Sequence, residues 1–429
     1  MTRVSLGALA AALALAACTN DAAAPGLCPQ FCPQGSLTVV DTFLTTAINR
    51  DSAFGRPFGY SNPTSSLILL AAAIPGFKDS RPIMQTGALP TQILVGPDTT
   101  TGTVIGVDSL MLRFTIATPD TAIHNLTFAL YALPLGIDST TTFGALAGPF
   151  SAAPIRTLNL SRLLALSGYK DPVVGDSAIV DTTDGRITVY MVLDSAQAPY
   201  SAPDTGKLAF GIRVSATGPA EAAIAAIANT GLGPGLAWYL KVDSLGLSVA
   251  HRTTPPFSPL FDSFVFDPPA LPLDSNLLVG GMPAARSLLR VAFPRTLFRD
   301  SLQISRATLE LVPAVAAQGL PLDSFKMIGS GLIADLGAKS PLDPLHVDTV
   351  TVGIGSTDTV HLDVTSILRF WATDTLAPTA FMLRQSPEGG TFSEVRFYSS
   401  AAAPYRPVLH VTYSPAYPFG VSDRDRKPR

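Results

Sequence analysis

The sequence predicts an all-β protein: two tandem β-sandwich domains of the jelly-roll type behind an N-terminal signal peptide. Three observations predict this fold class. Apolar residues recur mostly with a period of two, Pro and Gly are scattered along the whole chain, and only 14% of the residues are charged while 47% are hydrophobic. Alternation is typical of half-buried strands, and Pro and Gly supply the turns between them. A chain this apolar is not expected to be disordered.

The first residues have the pattern of an export signal. Arg3 supplies a positive charge, an apolar run covers residues 4–14, and small residues lead to Cys18. A basic start, a short apolar core and small residues before a cleavage site define a secretory signal. The run is shorter than the roughly 20 residues that a membrane-spanning helix needs. We therefore predict a signal peptide over residues 1–17.

Leu15-Ala16-Ala17-Cys18 resembles the lipobox of bacterial lipoproteins. The resemblance implies that Cys18 is lipidated and becomes the first residue after cleavage; an ordinary signal peptide with a cysteine nearby is the alternative. Thr19, where an Asp would signal inner-membrane retention, implies by the same resemblance the outer membrane or the cell surface. Two or three acyl chains hold a protein stably at a membrane. Lipid on Cys18 is therefore the expected membrane contact of an exported protein.

Residues 18–36 form a predicted tether, which contains the other two cysteines. Cys28 and Cys32 stand in Cys-Pro-Gln-Phe-Cys. An exported location permits a disulfide between them, and free thiols are the alternative. A zinc site would need two more ligands, and the neighbouring sequence offers none.

The two halves of the remaining chain match each other in order. Five segments correspond: 40–44 with 261–265, 66–69 with 276–279, 110–113 with 287–290, 123–130 with 304–311, and 158–164 with 362–368. The common order predicts that the two halves arose by duplication. A chance likeness in strand composition is the alternative. In the last pair, a strand is followed by apolar residues at helical spacing, so that Ser161 or Thr365 would cap a short helix.

These matches divide the chain into domains. We predict a first β-sandwich over 37–250, a divergent repeat; a Pro-rich linker over 251–258; a second β-sandwich over 259–415; and a mobile tail over 416–429. Within the first domain, the Ala-rich stretch between Pro219 and Asn229 predicts a short helix by propensity.

The second half carries a family resemblance. Its segments 286–290, 307–311, 362–371, 396–400 and 406–413 resemble the DNRLRE domain, an exported bacterial β-sandwich similar to carbohydrate-binding modules. The resemblance covers about residues 260 to 415. Val291-Ala292-Phe293 departs from the family's usual Phe-Asp, and the name-giving motif itself is missing. The resemblance implies the sandwich fold and a carbohydrate ligand.

Five residues of the second domain are candidates for ligand binding. Sugar-binding sandwiches stack pyranose rings on exposed aromatics and hold the hydroxyls with polar side chains. The candidates are Trp371, Tyr398 and Tyr405, with Arg396 and Arg406 close in sequence. Arg would favour an acidic polysaccharide, because guanidinium binds carboxylate in a bidentate manner. The alternative for the aromatics is core packing, with Trp371 closing one end of the sandwich.

No motif of a common catalytic site occurs in the sequence: H-E-x-x-H, G-x-S-x-G and the P-loop are all missing. His361 and Asp363 share one face of a predicted strand, which would suit acid–base chemistry or a metal; a solvated strand face is the alternative. With a net charge of −3, the chain has no excess of basic residues, which a nucleic-acid-binding protein normally shows. Nucleic acid is therefore not expected as a partner.

We therefore predict a protein that is not an enzyme, has no cofactor or metal, and binds polysaccharide at the cell envelope. A structural calcium ion, as jelly-roll modules often hold, is the alternative for the metal. A structural or protein-interaction surface module without a glycan ligand is the alternative for the function.

Overall fold

The computed structural model describes residues 39–55, 67–94, 101–120, 122–197, 207–243, 249–254, 256–267, 275–293, 302–374 and 376–415. The predictions for Cys18, Cys28, Cys32, the signal peptide, the tether and the tail at 416–429 lie outside these residues. None of the helices in the described ranges has the length and apolar character that a membrane crossing requires.

The described chain consists mainly of antiparallel strands, which confirms the all-β prediction. The strands are β1 (Val40–Leu44), β2 (Ile48–Phe54), β3 (Ile68–Ile74), β4 (Lys78–Gln85), β5 (Gln92–Leu94), β6 (Thr101–Thr118), β7 (Thr127–Ala132), β8 (Arg156–Asn159), β9 (Ser177–Val180), β10 (Ile187–Asp194), β11 (Ala209–Ser215), β12 (Ala220–Ala225), β13 (Gly235–Asp243), β14 (Val249–Thr253), β15 (Phe261–Phe266), β16 (Leu277–Gly280), β17 (Arg286–Val291), β18 (Leu302–Leu311), β19 (Ser324–Leu332), β20 (Leu342–Gly353), β21 (Val360–Asp363), β22 (Ala380–Ser386), β23 (Glu394–Phe397) and β24 (Val408–Pro415). Short α-helices are α1 (Ala147–Ser151), α2 (Leu160–Leu164) and α3 (Thr365–Thr373), and single 3₁₀ turns occupy Gly144–Leu146, Ser167–Tyr169 and Gly337–Lys339.

Four sheets contain these strands. The large sheet has 13 strands, with the path β14-β13-β6-β12-β3-β4-β11-β7-β8 and with β5, β9, β10 and β15 attached beside it. The other three sheets have the orders β1-β24-β18-β21, β2-β17-β22-β19-β20 and β16-β23. They enclose one core of Leu, Val, Ile and Phe side chains, and we call this part the C-terminal sandwich. A separate, larger core packs on the large sheet.

The strand pairings divide the chain differently from the predicted domain boundaries. β1 pairs with β24, and β2 pairs with β17, so residues from 40 to 54 belong to the C-terminal sandwich. Conversely, β15 pairs with β4 and belongs to the large sheet. The predicted boundaries, 37–250 and 259–415, are therefore wrong for these strands. Hydrophobic alternation identifies a strand but not its partner, because pairing is set by non-local contacts.

The described residues of the predicted linker over 251–258, which are 251–254 and 256–258, lie along the large sheet. β14 ends at Thr253, and the Thr254 hydroxyl accepts a hydrogen bond from the Trp238 N–H at 2.9 Å. Phe257 exchanges two backbone hydrogen bonds with Leu236, of 2.8 and 2.9 Å. Pro256 directly precedes this short pairing at the edge of the sheet, where a missing N–H is tolerated.

The Ala-rich stretch forms strand β12 and not the predicted helix. β12 lies between β3 and β6, and most of its side chains are buried. Small Ala side chains let the neighbouring layers approach this central strand closely. Burial on both faces outweighs the helix propensity of Ala, which is only a weak preference.

The two helix starts that correspond in sequence also correspond in structure. β7 pairs with β8 so that Phe128 lies opposite Leu158, and β18 pairs with β21 so that Leu309 lies opposite Leu362. These are the registers that the matched segments 123–130 with 304–311 and 158–164 with 362–368 require.

The hydroxyls of Ser161 and Thr365 occupy the same place in these two arrangements. Ser161 accepts a hydrogen bond from the Leu126 N–H at 3.2 Å, and Thr365 accepts one from the Ala307 N–H at 2.8 Å. They tie each helix to the neighbouring strand and do not cap it as predicted. The cap of α2 is the Asn159 side chain, which accepts the Arg162 N–H at 2.8 Å.

Candidate functional site

Trp371 lies in the core of the C-terminal sandwich. Only 1% of its surface is exposed, because α3 turns it inward. Its ring stacks on Phe381 at 5.8 Å between centroids and meets the edge of Phe293 at 6.1 Å. The structure therefore removes Trp371 from the ligand-binding candidates, and the packing alternative describes it.

Tyr398 and Tyr405 form a stacked pair at the surface. Their ring centroids are 4.8 Å apart and the rings are inclined by 26°. Tyr405 is 50% exposed, and Tyr398 stacks on one face of its ring. The loop after β23 places both rings: the Tyr398 N–H donates to the Val312 carbonyl, and the Tyr405 N–H donates to that of Ala402.

Arg406 lies next to this pair, but Arg396 has a different neighbourhood. The Arg406 guanidinium donates to the Ala403 carbonyl at 3.2 Å, within the loop that carries Tyr405. Arg396 donates from Nε to a Glu394 carboxylate oxygen at 2.5 Å and lines a cleft against the large sheet. Of the five predicted residues, the structure thus brings together Tyr398, Tyr405 and Arg406, which we call the tyrosine platform.

The cleft that Arg396 lines has a volume of about 640 Å³ and lies between the large sheet and the C-terminal sandwich. The large sheet contributes the β3–β4 turn, and Arg213 of β11. Pro75 and Gly76, with φ +73° at Gly76, form a type II turn that is closed by the Phe77 N–H to Ile74 carbonyl bond of 3.0 Å. The turn places Lys78 in the cleft wall. The sandwich contributes Val315 and Gln318 beside Arg396.

Of the residues that line this cleft, sequence reasoning singled out Arg396 and missed the others, of which Lys78 is the most deeply buried charge. Only 3% of its surface is exposed, and its ammonium has no hydrogen-bond partner among the described residues. Its Nζ lies 5.3 Å from the ring centroid of Phe77 and 5.9 Å from that of Phe266. Burial lowers the pKa of Lys78 to about 8, against the opposing attraction of Glu394 and Asp267. The sequence did contain a signal for this position: Pro75-Gly76 predicts a turn just before Lys78.

His361 and Asp363 lie on the exposed outer face of β21, as the solvated-face alternative has it. The His361 imidazole is 3.9 Å from a Glu310 carboxylate oxygen, and His410 is equally far from the same oxygen. His410 also bonds Asp41 at 2.7 Å. Hydrogen bonds from Thr412 and His410 lower the pKa of the Asp41 carboxyl. These side chains join neighbouring strands of one sheet.

Three or more His, Cys, Asp or Glu side chains never come together in a metal-binding group within the part of the chain that the structure describes. No protein-family model matches the sequence, and none of the curated proteins matches it.

Proposed function

We propose that this chain is a lipid-anchored cell-envelope protein that binds polysaccharide without catalysis. In this proposal, lipid on Cys18 holds the protein at the outer membrane or cell surface, and residues 260 to 415 derive from a DNRLRE-like, carbohydrate-binding-module-like domain. The duplication predicted from the sequence belongs to the same proposal. The matching registers of β7–β8 and β18–β21 support it.

The single observation that carries the binding function is the tyrosine platform. A pyranose ring offers an apolar C–H face and polar edges, and it therefore stacks on an aromatic ring with an open face. Tyr405 is half exposed, and the Tyr398 ring stacked on it holds its orientation. The nearby Arg406 guanidinium suits the carboxylate of a uronate unit.

The test is retention on gels of an acidic polysaccharide such as alginate or pectate. We expect Tyr405→Ala to weaken retention about tenfold, equivalent to ~1.4 kcal/mol, with little change in melting temperature, because Tyr405 is half exposed. Tyr169→Ala is the matched control, since Tyr169 is also exposed, at 41%, but lies in the other half of the chain; it should leave retention unchanged.

A second control separates binding from stability. Trp371→Ala removes a core ring and should cost about 3–5 kcal/mol of unfolding free energy, without weakening retention by the folded fraction. If wild-type protein is not retained by acidic or neutral polysaccharide, the glycan proposal is wrong, and a structural or protein-interaction module becomes the better account.

A further inference from the structure

The cleft between the large sheet and the C-terminal sandwich contains the buried ammonium of Lys78, which has no hydrogen-bond partner among the described residues. An ammonium that is removed from water loses its hydration, and a partner of opposite charge normally compensates for that loss. The Lys78 ammonium has aromatic rings near it but no hydrogen-bond acceptor among the described residues. A desolvated cation–π contact offsets about 2 kcal/mol of this loss, and it supplies no hydrogen bond to the ammonium.

The charges around the cleft favour one kind of anion. Arg81 and Arg213 share the Asp79 carboxylate, at 2.6 and 3.2 Å, and Arg396 pairs with Glu394. The charged residues that line the cleft itself are three cations, Lys78, Arg213 and Arg396, and two carboxylates, Asp79 and Asp267. One excess positive charge matches a single carboxylate, whereas a doubly charged phosphate would exceed it.

The other residues that line the cleft suit a ligand that carries hydroxyl groups on a carbon skeleton. Gln318 and Asp267 line the cleft and offer hydrogen-bonding groups for hydroxyls, while Ile74, Phe77 and Val315 offer apolar surface for C–H groups. Small-molecule sites commonly have volumes of roughly 300–1,000 Å³, and the cleft, at about 640 Å³, falls within that range.

We propose that this cleft is a binding site for a sugar acid or a similar hydroxylated monocarboxylate, whose carboxylate pairs with Lys78. Arg213 and Arg396 stand at the same cleft and contribute to the attraction of the anion. The four-carbon stem of Lys78 lets the ammonium turn from the rings toward a bound carboxylate. The site shares no residue with the tyrosine platform, so this inference stands independently of the proposed function.

Titration calorimetry of the full mature chain with free glucuronate tests the site, with glucose and inorganic phosphate as comparison ligands. We expect saturable binding of glucuronate and at least tenfold weaker binding of glucose, which lacks the carboxylate, and of phosphate. Equal binding of phosphate would overturn the assignment to a sugar acid, and absence of glucuronate binding would overturn the site.

Lys78→Met keeps the length of the side chain and removes its charge. We expect it to weaken glucuronate binding at least tenfold, whereas Lys326→Met, on the exposed face of β19, should leave binding unchanged. Arg213→Gln should weaken binding severalfold. Because Arg213 is half exposed, its replacement does not put folding at risk, and this variant provides the test if Lys78→Met does not fold. Wild-type affinity in Lys78→Met, or in Arg213→Gln in that case, would refute the proposal.

Discussion

At the scale of single residues, Glu221 and Phe392 join the large sheet to the C-terminal sandwich. The Phe392 N–H donates to the two Glu221 carboxylate oxygens at 3.2 and 3.3 Å. The Phe392 ring packs in the core of the large sheet against Phe264 and Phe266, with centroids 6.4 and 5.6 Å away. Burial raises the pKa of Glu221 to about 8, although the hydrogen bond from Phe392 acts in the opposite direction.

This raised pKa makes the stability depend on pH. The unfolded chain loses the Glu221 proton near its ordinary pKa of 4.5, and the folded chain holds it up to about pH 8. The contribution of Glu221 to the free energy of unfolding is therefore greatest below about pH 4.5, falls as the pH rises to about 8, and is constant above that.

We expect Glu221→Gln to remove this decrease of the free energy of unfolding with rising pH. Gln stays neutral at every pH and can still accept the Phe392 N–H. The variant should exceed the wild type by more at pH 8.5 than at pH 5, with each unit of pKa shift equivalent to about 1.4 kcal/mol. Urea denaturation at the two pH values measures the difference. Parallel pH profiles for the two proteins would contradict the prediction.

At the scale of elements, the N-terminal strands complete the C-terminal sandwich. β1 and β2 are edge strands of two different sheets of this sandwich, and the turn between them crosses from one sheet to the other. Ala47 and Ile48 are buried in its core, and Asp51 accepts a hydrogen bond from the Ser400 N–H at 2.5 Å. β15 is separated from this core and supplies Phe264 and Phe266 to the other one.

The fragment 259–415 should therefore not fold alone. It lacks β1 and β2, exposes two unpaired strand edges, and carries β15 without its partner β4. Unpaired edges and exposed apolar strands favour aggregation. Circular dichroism and urea titration should show no cooperative transition. A cooperative transition at the stability of the full chain would mean that the two strands are dispensable.

Strand complementation provides the positive test. A synthetic peptide of residues 39–55 should restore a cooperative transition to the fragment by adding strands to both edges. The same peptide with Ile48→Asp should fail, because it would place a charge in the core that Ile48 occupies.

At the scale of the whole molecule, the predicted tether leads into β1, which pairs with the strand β24 near the C-terminal end of the described chain. A force on the lipid anchor would thus reach the sandwich through the hydrogen bonds of β1 with β24 and of β2 with β17. The proposed anchor, the tyrosine platform and the cleft are all attached to the same sandwich, the cleft by one of its walls.

The anchor is tested at Cys18. Acyl chains attach through its sulfur, so Cys18→Ala should abolish lipidation and move the protein from the membrane fraction to a soluble or uncleaved form. Cys28→Ala, which removes a cysteine of the tether, should remain lipidated. Mass spectrometry of the processed protein measures both, and an unmodified Cys18 in the processed wild type would contradict the prediction.

The sequence by itself determined the all-β class and the position of many strands. Alternation is a local property, because successive side chains of a strand point to opposite faces. It is present along β6, β10, β21 and β24. The order of the matched segments identified the corresponding helix starts after β8 and β21. The sequence also supplied the aromatic residues of the platform, although it could not separate the exposed Tyr405 from the buried Trp371.

Only the tertiary structure decided which strands pair, which aromatic residues are buried and what lines the cleft. Residues 40–44 and 261–265 look equivalent in sequence and lie in different sheets. The residues of β12 favour a helix and form a central strand. Lys78 and Arg396 are 318 positions apart and meet at one cleft. The physical reason is common to all three: burial and pairing depend on contacts between distant parts of the chain, which no local pattern encodes.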